Sequence, residues 1–310
     1  MRILHLNNPA QVASNLVKAQ RKLGVDSNLV ITGNKHLHGN YDYDLSYIPT
    51  NFFQGKIDLG RRLYGLIQDC DILHYHGQAI SAGYRDLIMW AGIMNKPVIL
   101  HYHGSEIRDK KPSKFTNNFV KHTYVSTPDL LKSVQNAEWL PNPVNLEEIV
   151  YSDLDKNEKL VVLHAPSNRK IKNTQAIINA IQTLRSEGLE IELNIAENVE
   201  HEKLLGMISE SHIIVDWINP DFGIYGVLSI ESMGIGRPVI CTLTESLYKE
   251  YDLPIINCHP NDLSNTIKNL YSTRDKLTDK GRLGYDFVHK HHDSSEIAKK
   301  VINRYESILG

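Results

Sequence analysis

The sequence predicts an α/β protein made of two Rossmann-like domains that face each other across a cleft. Short apolar runs alternate with amphipathic stretches over nearly all of its 310 residues, which is typical of parallel sheets covered by helices on both faces. The alternation restarts after a polar, proline-marked stretch near residue 150, and the chain is too long for one small core. We therefore expect domains at residues 1–152 and 153–290, and a C-terminal helix at 291–310 that could pack back on the first domain.

The first half is predicted to run strand, helix and strand, and then to repeat this order. "RILHL" is predicted as a strand, and "PAQVASNLVKAQRKLG" as a helix, because Val12 and Leu16 lie near helical spacing and Gly24 provides a stop. "SNLVIT" is the next strand. A second unit contains the strand "DILHYH", a helix around Ala79 to Met94 and the strand "KPVILHYH"; "HTYVST" and "AEWLP" complete this half.

The second half repeats the same alternation after the linker "PNPVNLEEIVYSDLDKNEK". "LVVLHAP" is predicted as a strand and "NTQAIINAIQTLRSEG" as a helix with apolar residues at helical spacing. "IELNIA", "HIIVDWI", "RPVICT" and "LPIIN" are predicted as further strands with helices between them. "SSEIAKKVINRYESILG" is predicted as a terminal helix that begins with serine caps.

Composition excludes several classes of protein. The formal net charge of -2 gives no basic excess for nucleic acid. Three widely spaced cysteines form no C-x-x-C pair, which fits a reducing compartment and argues against a zinc knuckle. The start "MRILHLNNPAQ" turns polar too soon for a signal peptide, and no run of about 18 apolar residues occurs. We expect a cytoplasmic protein.

The hexapeptide "ILHYHG" occurs twice, beginning at Ile72 and at Ile99, 27 residues apart. This spacing is close to one strand–helix–strand unit, so the two copies should be neighbouring strands that end at one sheet edge, where such sheets bind ligands. Alternating histidines also occur in metal sites. Neither copy contains an acidic residue to orient the imidazoles, however, so we expect no metal, with His74 and His101 packed under helices and the outer pair lining a polar cleft.

A glycine-rich loop precedes a helix in "DFGIYGVLSIESMGIGRPVI", residues 221–240. The bare N–H groups and positive dipole end of a helix N-terminus after Gly226 suit a diphosphate. Glu231, about one turn into the helix, is placed to accept hydrogen bonds from two ribose hydroxyls. The alternative is a tight loop–helix joint with Glu231 as an ordinary first-turn charge.

This segment resembles the donor site of retaining glycosyltransferases with the GT-B fold, glycosyltransferase family four. "DILHYHG", "KPVILHYHGSEIR", "VSTPDLLKSVQNAEWLPNPVNLEEI" and "HAPSNRKIKNTQAIINAI" are similar to further segments of that family, in the same order and over almost the whole chain. The resemblance implies transfer of a sugar from a nucleotide-sugar donor to a glycan, a lipid-linked or a small-molecule acceptor, with retention of anomeric configuration and without a metal cofactor.

The resemblance also assigns roles to individual residues. Glu231 aligns with the glutamate that binds the donor ribose, and His103 with the histidine near the transferred sugar. Lys172 aligns with the lysine that contacts the diphosphate. Gly226 and Val227 align with the loop whose backbone meets the sugar and phosphate.

Three positions depart from the family pattern. The first family glutamate falls on Gly223, so Asp221, Asp216 or backbone groups would have to replace it. The usual arginine falls on Ser167, with Arg169 close enough to take over its charge. The first loop, "NNPAQ", lacks the usual paired glycines. The candidate catalytic residues are therefore His103, Lys172 and Arg169, and the candidate donor-binding residues are Glu231, Gly226, Val227, Gly223, Tyr225 and Ser167.

Residues 108–121 form a basic segment with two aromatic residues, Phe115 and Phe119. Such a segment could touch an anionic bilayer that carries a lipid-linked acceptor, on the inner face of the membrane, or it could be a solvated loop. Three rival functions also stay open: a nucleotide-sugar epimerase on the same scaffold, a two-lobed nucleotide- or sugar-binding protein, and a transferase scaffold without activity.

Overall fold

The computed structural model describes residues 1–32, 40–46, 52–77, 80–104, 106–108, 110–154 and 159–310. The chain forms two compact units, one containing residues 1–145 and 294–310 and the other residues 146–293. The sequence-based boundaries lay after residues 152 and 290. Residues 146–152 join the second unit because Ile149 packs against Gly234, and because Arg237 donates hydrogen bonds to the backbone and hydroxyl oxygens of Ser152, at 2.6 and 2.5 Å.

The first unit contains a seven-stranded sheet in the order β3-β2-β1-β4-β5-β6-β7. All of its strand pairs are parallel. The strands are β1 (Arg2–Leu6), β2 (Asp26–Ile31), β3 (Tyr43–Asp44), β4 (Ile72–His76), β5 (Val98–Tyr102), β6 (His122–Val125) and β7 (Glu138–Trp139). The two "ILHYHG" copies are thus neighbouring parallel strands, as their spacing predicted.

The α-helices of this unit are α1 (Val12–Lys22), α2 (Phe52–Asp69), α3 (Lys114–Phe119) and α10 (Ser294–Leu309). The helix expected around Ala79 to Met94 differs: residues 78–79 lie outside the described residues, and the remainder contains a 3-10 turn (Ala82–Tyr84) and a π-helix (Ile88–Ile93). Gly83 and Tyr84 have φ values of 66° and 63°, so the backbone leaves the right-handed helical region there.

The alternation of side chains along the strands places buried residues on both faces of the first sheet. Ile3, Ile72 and Ile99 point to the face covered by α1 and α10, where Tyr305 is fully buried. The intervening residues point to the opposite face, where they pack with Leu63 and other residues of α2. Because both "ILHYHG" strands share this alternation, their histidines lie on the α1 and α10 face.

The second unit contains a five-stranded parallel sheet in the order β12-β11-β10-β8-β9. Its strands are β8 (Leu160–His164), β9 (Ile191–Ile195), β10 (Ile213–Val215), β11 (Val239–Cys241) and β12 (Ile256–Asn257). Its helices are α4 (Thr174–Ser186), α5 (His201–Ser209), α6 (Val227–Gly234), α7 (Glu245–Glu250), α8 (Leu263–Ser272) and α9 (Leu277–His291). Since β8 and β10 are neighbours, the loops that follow them meet at one sheet edge.

Candidate functional site

Lys172 and Asp216 form a buried ion pair where the loops after β8 and β10 meet. Lys172 Nζ lies 2.6 Å from Asp216 Oδ1 and donates a second hydrogen bond to the Ala165 carbonyl at 3.1 Å. Ser229 of α6 donates to the other Asp216 oxygen at 2.6 Å. Asp216 is fully buried and Lys172 is 6% exposed. The lysine is therefore held with two of its three N–H groups directed into the protein.

Gly226 places the start of α6 against this ion pair. It is the residue before the first helical turn, whose N–H groups have no partner within the helix. A side-chain carbon at Gly226 would lie 3.0 Å from Trp217 Nε1 and 3.8 Å from Asp216 Oδ2. Val227, the first helical residue, is partly exposed. A helix N-terminus beside a lysine favours an anion such as a diphosphate.

Gly223 lies in the loop before α6, at a position that has no room for a side chain. Its φ is 58°, and a side-chain carbon there would lie 3.0 Å from the backbone nitrogen of Thr244. The same Thr244 N–H donates to the Gly223 carbonyl at 3.0 Å. A glutamate therefore does not fit here without movement of the loop.

The two acids that the sequence offered in place of the missing glutamate differ in their availability. Asp216 is fully buried, and its two oxygens accept hydrogen bonds from Lys172 and Ser229. Asp221 is exposed.

Glu231 of α6 is 6% exposed and accepts a hydrogen bond from His201 Nε2 at 2.7 Å. His201 begins α5 and keeps 33% of its side chain exposed. The sequence did not identify His201, because a lone histidine 30 residues before Glu231 belongs to no motif. The carboxylate is thus held by one imidazole, at a site that remains close to solvent.

The other predicted donor residues lie on the surface or point elsewhere. Arg169 forms a two-pronged ion pair with Glu197, at 2.9 and 2.5 Å, and 54% of its side chain is exposed. Ser167 is exposed in the same loop. The Tyr225 ring is buried, and its hydroxyl lies 3.4 Å from His292 Nε2. Burial raises the pKa of Tyr225. Its side chain therefore faces the interior of the unit.

The first unit carries a cluster of five histidines, His5, His74, His76, His101 and His103, which we call the histidine cluster. The strand register pairs His5 with His74 and His76 with His101, so their side chains lie on one face. Ring centroids are 4.4 Å apart between His74 and His76 and 4.2 Å apart between His101 and His103. His76 is fully buried, so the expectation that it lines an open cleft was wrong; within the cluster only His103 is partly exposed.

A chain of hydrogen bonds fixes the tautomers in this cluster. Gln20 Oε1 lies 2.9 Å from His5 Nε2, His5 Nδ1 lies 2.9 Å from His76 Nε2, and His76 Nδ1 lies 3.2 Å from His103 Nε2. Because the amide oxygen only accepts, each neutral ring in turn carries its proton on Nε2. Among the described residues, both ring nitrogens of His101 lack a hydrogen-bond partner.

Removal from water keeps these imidazoles neutral. Burial lowers the pKa of His5 to about 4, and desolvation lowers that of His103 to about 3. The pKa values of His74, His76 and His101 lie well below the usual range, mainly through burial and further through neighbouring imidazoles. The cluster is therefore polar but uncharged near neutral pH.

The glycine after each histidine pair permits a close approach. Gly77 has a φ of 70°, and a side-chain carbon there would lie 3.1 Å from Glu106 Oε1. The same carboxylate oxygen accepts a hydrogen bond from the backbone N–H of His103. Gly77 therefore leaves space for the acid that holds the His103 backbone.

The basic segment at 108–121 borders a groove rather than forming one charged face. Its lysines Lys110, Lys111 and Lys121 line a cavity of about 990 Å³. Arg108 is paired with Asp129 at 2.9 Å, and Phe119 packs into the core. Residue 109 lies outside the described residues. No helix in the described part of the chain is long and apolar enough to cross a bilayer.

The fold resembles solved structures over the whole chain. HepE (Alr3699) of Anabaena in complex with UDP-glucose has a TM-score of 0.71 at 12% identity, covering 99% of this chain and 100% of that one. Sucrose-phosphate synthase of Thermosynechococcus elongatus has 0.71 at 14%, covering 100% and 99%. A putative UDP-N-acetylglucosamine 2-epimerase of Listeria monocytogenes has 0.64 at 12%, covering 99% and 96%. No protein-family model and no curated protein sequence matches the chain. The two Rossmann-like units are those of the GT-B fold, as the sequence predicted.

Proposed function

We propose that this chain is a glycosyltransferase that moves a sugar from a nucleoside-diphosphate sugar to a glycan, a lipid-linked or a small-molecule acceptor, with retention of anomeric configuration. The observation that carries the proposal is the buried Lys172 beside the start of α6. The sequence resemblance and the likeness to structures solved with UDP-glucose or with ADP support it.

The site places positively charged and N–H groups where negative charge develops when the bond between a sugar and a diphosphate breaks. The leaving diphosphate takes the bonding electron pair, so the enzyme must stabilise a growing negative charge. Beyond its two hydrogen bonds to described residues, Lys172 has a third N–H to donate, and the first turn of α6 offers backbone N–H groups and a positive dipole end. Asp216 and Ser229 position the ammonium. This arrangement needs no metal for departure of the diphosphate.

The remaining residues complete the donor and sugar sites. Glu231 accepts hydrogen bonds from the ribose hydroxyls, with His201 orienting its carboxylate. His103 supports the transferred sugar through its backbone or its neutral ring. The acceptor attacks the face from which the diphosphate departs, so no protein nucleophile takes part. The lysines of the groove in the first unit favour an acceptor that carries an anionic group.

The test begins with thermal unfolding in the presence of nucleoside diphosphates and nucleotide sugars, because a ligand that binds the native state raises Tm. The cognate compound is then titrated into Lys172→Met and into Lys170→Met, an exposed lysine of the same loop that serves as the matched control. We expect Lys172→Met to lose diphosphate affinity and turnover, and Lys170→Met to keep both. Equal behaviour of the two folded variants would refute the assigned site.

An epimerase is the second candidate, because solved UDP-N-acetylglucosamine 2-epimerases are also structurally similar. An epimerase turns over its donor without an acceptor. Nuclear magnetic resonance of the donor sugar, recorded without any acceptor, separates the two: a new epimer indicates epimerisation, whereas acceptor-dependent release of diphosphate indicates transfer. Binding without either product would indicate a binding protein or an inactive scaffold.

A further inference from the structure

Three imidazoles of the histidine cluster converge at the carboxyl ends of β4 and β5. One ring nitrogen from each of His76, His101 and His103 lies within 4.8 Å of the other two. His76 and His101 are fully buried, and His103 keeps the triad in contact with solvent. We call these residues the imidazole triad.

We propose that the imidazole triad binds a divalent transition-metal ion such as Zn²⁺. Zinc–nitrogen bonds of about 2.0–2.1 Å in a tetrahedral site place two ligand nitrogens about 3.3 Å apart. His76 Nδ1 and His103 Nε2 are 3.2 Å apart. Two ligand atoms therefore already have the spacing that the ion requires, and a shift of the His103 proton from Nε2 to Nδ1 frees both lone pairs.

The side chain of His101 gives a second, independent observation in favour of a bound metal ion. Its ring is fully buried, yet neither nitrogen has a hydrogen-bond partner among the described residues. Leaving a buried polar atom unpaired is unfavourable, and bound metal would satisfy one of these two nitrogens. A packing role alone would be served as well by an apolar ring.

The supporting shell that the "ILHYHG" sequences lack is supplied from elsewhere in the unit. His76 Nε2 lies 2.9 Å from His5 Nδ1, and His5 Nε2 lies 2.9 Å from Gln20 Oε1. Metal-bound histidines characteristically donate their other N–H in this way, which fixes the tautomer and the ring orientation. The absence of a carboxylate from the two motifs thus no longer argues against a metal here.

The donor set selects the class of ion. Three neutral nitrogen ligands suit zinc, cobalt, nickel or copper, whereas magnesium and calcium require oxygen ligands. The partial exposure of His103 leaves room for water or another small ligand in a fourth position. This site lies in the first unit and shares His103 with the proposed transfer, but it goes beyond that transfer, whose leaving diphosphate is stabilised by Lys172 and α6.

The test uses the full chain after dialysis against a chelator. Co²⁺ is titrated in while the visible absorption characteristic of tetrahedral cobalt is recorded, and Zn²⁺ is then added to displace it. We expect one ion per chain and loss of the cobalt spectrum on addition of zinc. The measurement needs no donor, acceptor or enzymatic activity.

His101→Phe is the decisive variant, because it keeps an aromatic ring where the imidazole has no hydrogen-bond partner among the described residues. The fold and the His76–His103 hydrogen bond should persist, whereas metal affinity should fall by more than the 10- to 100-fold expected from His5→Phe, which removes a supporting partner. His122→Gln is the control, since His122 lies at the start of β6 and pairs with Glu138 outside the triad.

Two results would overturn the proposal. No tetrahedral cobalt spectrum in the unaltered chain would show that the triad is a metal-free hydrogen-bonded cluster. Equal metal affinity of the His101→Phe, His122→Gln and unaltered chains, each shown to be folded by circular dichroism, would show that the ion binds adventitiously elsewhere.

Discussion

Both parallel sheets bury polar side chains where neighbouring strands end, but the two sheets bury different kinds of group. In the first unit the buried groups are neutral imidazoles, kept uncharged by desolvation. In the second unit Lys172 and Asp216 are buried as an ion pair and held further by Ser229. We therefore expect the first unit to be destabilised when its buried histidines are protonated. We expect the second unit to be destabilised when either member of the Lys172–Asp216 pair is removed.

The largest expected effect is therefore acid destabilisation of the first unit. The folded-state pKa values of all five clustered histidines lie below the ordinary value of 6.5, with His5 at about 4 and His103 at about 3. Below pH 6.5 the unfolded chain binds protons that the folded chain does not. Stability is thus present above this pH and is lost as the pH falls toward the folded-state values.

A single histidine with such a lowered pKa removes at most about 1.4 kcal/mol of unfolding free energy per pH unit in this window. Hydrogen exchange of the metal-free chain, prepared by dialysis against a chelator, measures the effect at pH 7 and pH 5 when it is read separately for β4–β5 and β8–β10. As the pH falls, we expect protection to be lost at a higher pH in the first unit than in the second. Among the described residues, the second sheet contains one such histidine, His164, whose pKa is also lowered. Equal protection of both sheets at pH 5 would contradict the comparison.

The second prediction concerns the ion pair. Asp216→Ala leaves the Lys172 ammonium buried without its carboxylate, which should lower the free energy of unfolding by about 3–5 kcal/mol. Urea unfolding at pH 7.5 measures the loss. Asp221→Ala changes an exposed aspartate near the same loop and should leave stability unchanged. Similar midpoints for the two variants would mean that the pair is hydrated rather than buried.

The side-by-side "ILHYHG" strands were predictable because strand alternation and the spacing of one strand–helix–strand unit are local properties of the sequence. The burial of their histidines was not. His74 Nδ1 lies 2.6 Å from the hydroxyl of Tyr305, 231 residues later, so the cover of this face depends on the return of α10. The supporting chain through Gln20 likewise joins residues that no short motif connects.

In the second unit, the sequence offered candidate residues but not the partners that they contact. Lys172 and Gly226 both lie beside Asp216. Asp216, however, was a candidate to replace the family glutamate that falls on Gly223, and only the packing shows that Lys172 contacts it. Gly223 departs from the family pattern, which has a glutamate at this position. The contact that disfavours a side chain there is with Thr244, and the sequence alone does not connect Thr244 to this loop.

The third prediction tests that steric reason. Gly223→Ala places a side-chain carbon 3.0 Å from Thr244 N at a φ of 58°, which should lower stability by about 1–3 kcal/mol. Gly206→Ala in α5 is the control, since nothing lies within 4 Å of the added carbon; it should raise stability by about 0.5–1 kcal/mol. Thermal unfolding of both variants gives the comparison. Unchanged stability of the Gly223→Ala variant would show that the loop accepts a side chain at this position.

The smallest expected effect distinguishes the exposed Arg169 from the buried Lys172. Arg169 is held by Glu197 on the surface, so Glu197→Ala releases its guanidinium, and Arg169→Ala removes it. If Arg169 takes the place of the family arginine, Glu197→Ala should strengthen and Arg169→Ala should weaken the binding of a nucleoside diphosphate. The free nucleoside should bind equally to both variants, because it carries no diphosphate for the arginine to contact.

Calorimetric titration of both variants with the diphosphate and the nucleoside measures this difference, with Lys170→Ala as a control for general loss of positive charge. We expect the effect to be smaller than that of Lys172→Met, since an exposed charge is screened by water and salt. Unchanged diphosphate affinity in both variants would leave Arg169 and Glu197 as a surface ion pair, and Lys172 with the start of α6 as the groups proposed to recognise the diphosphate.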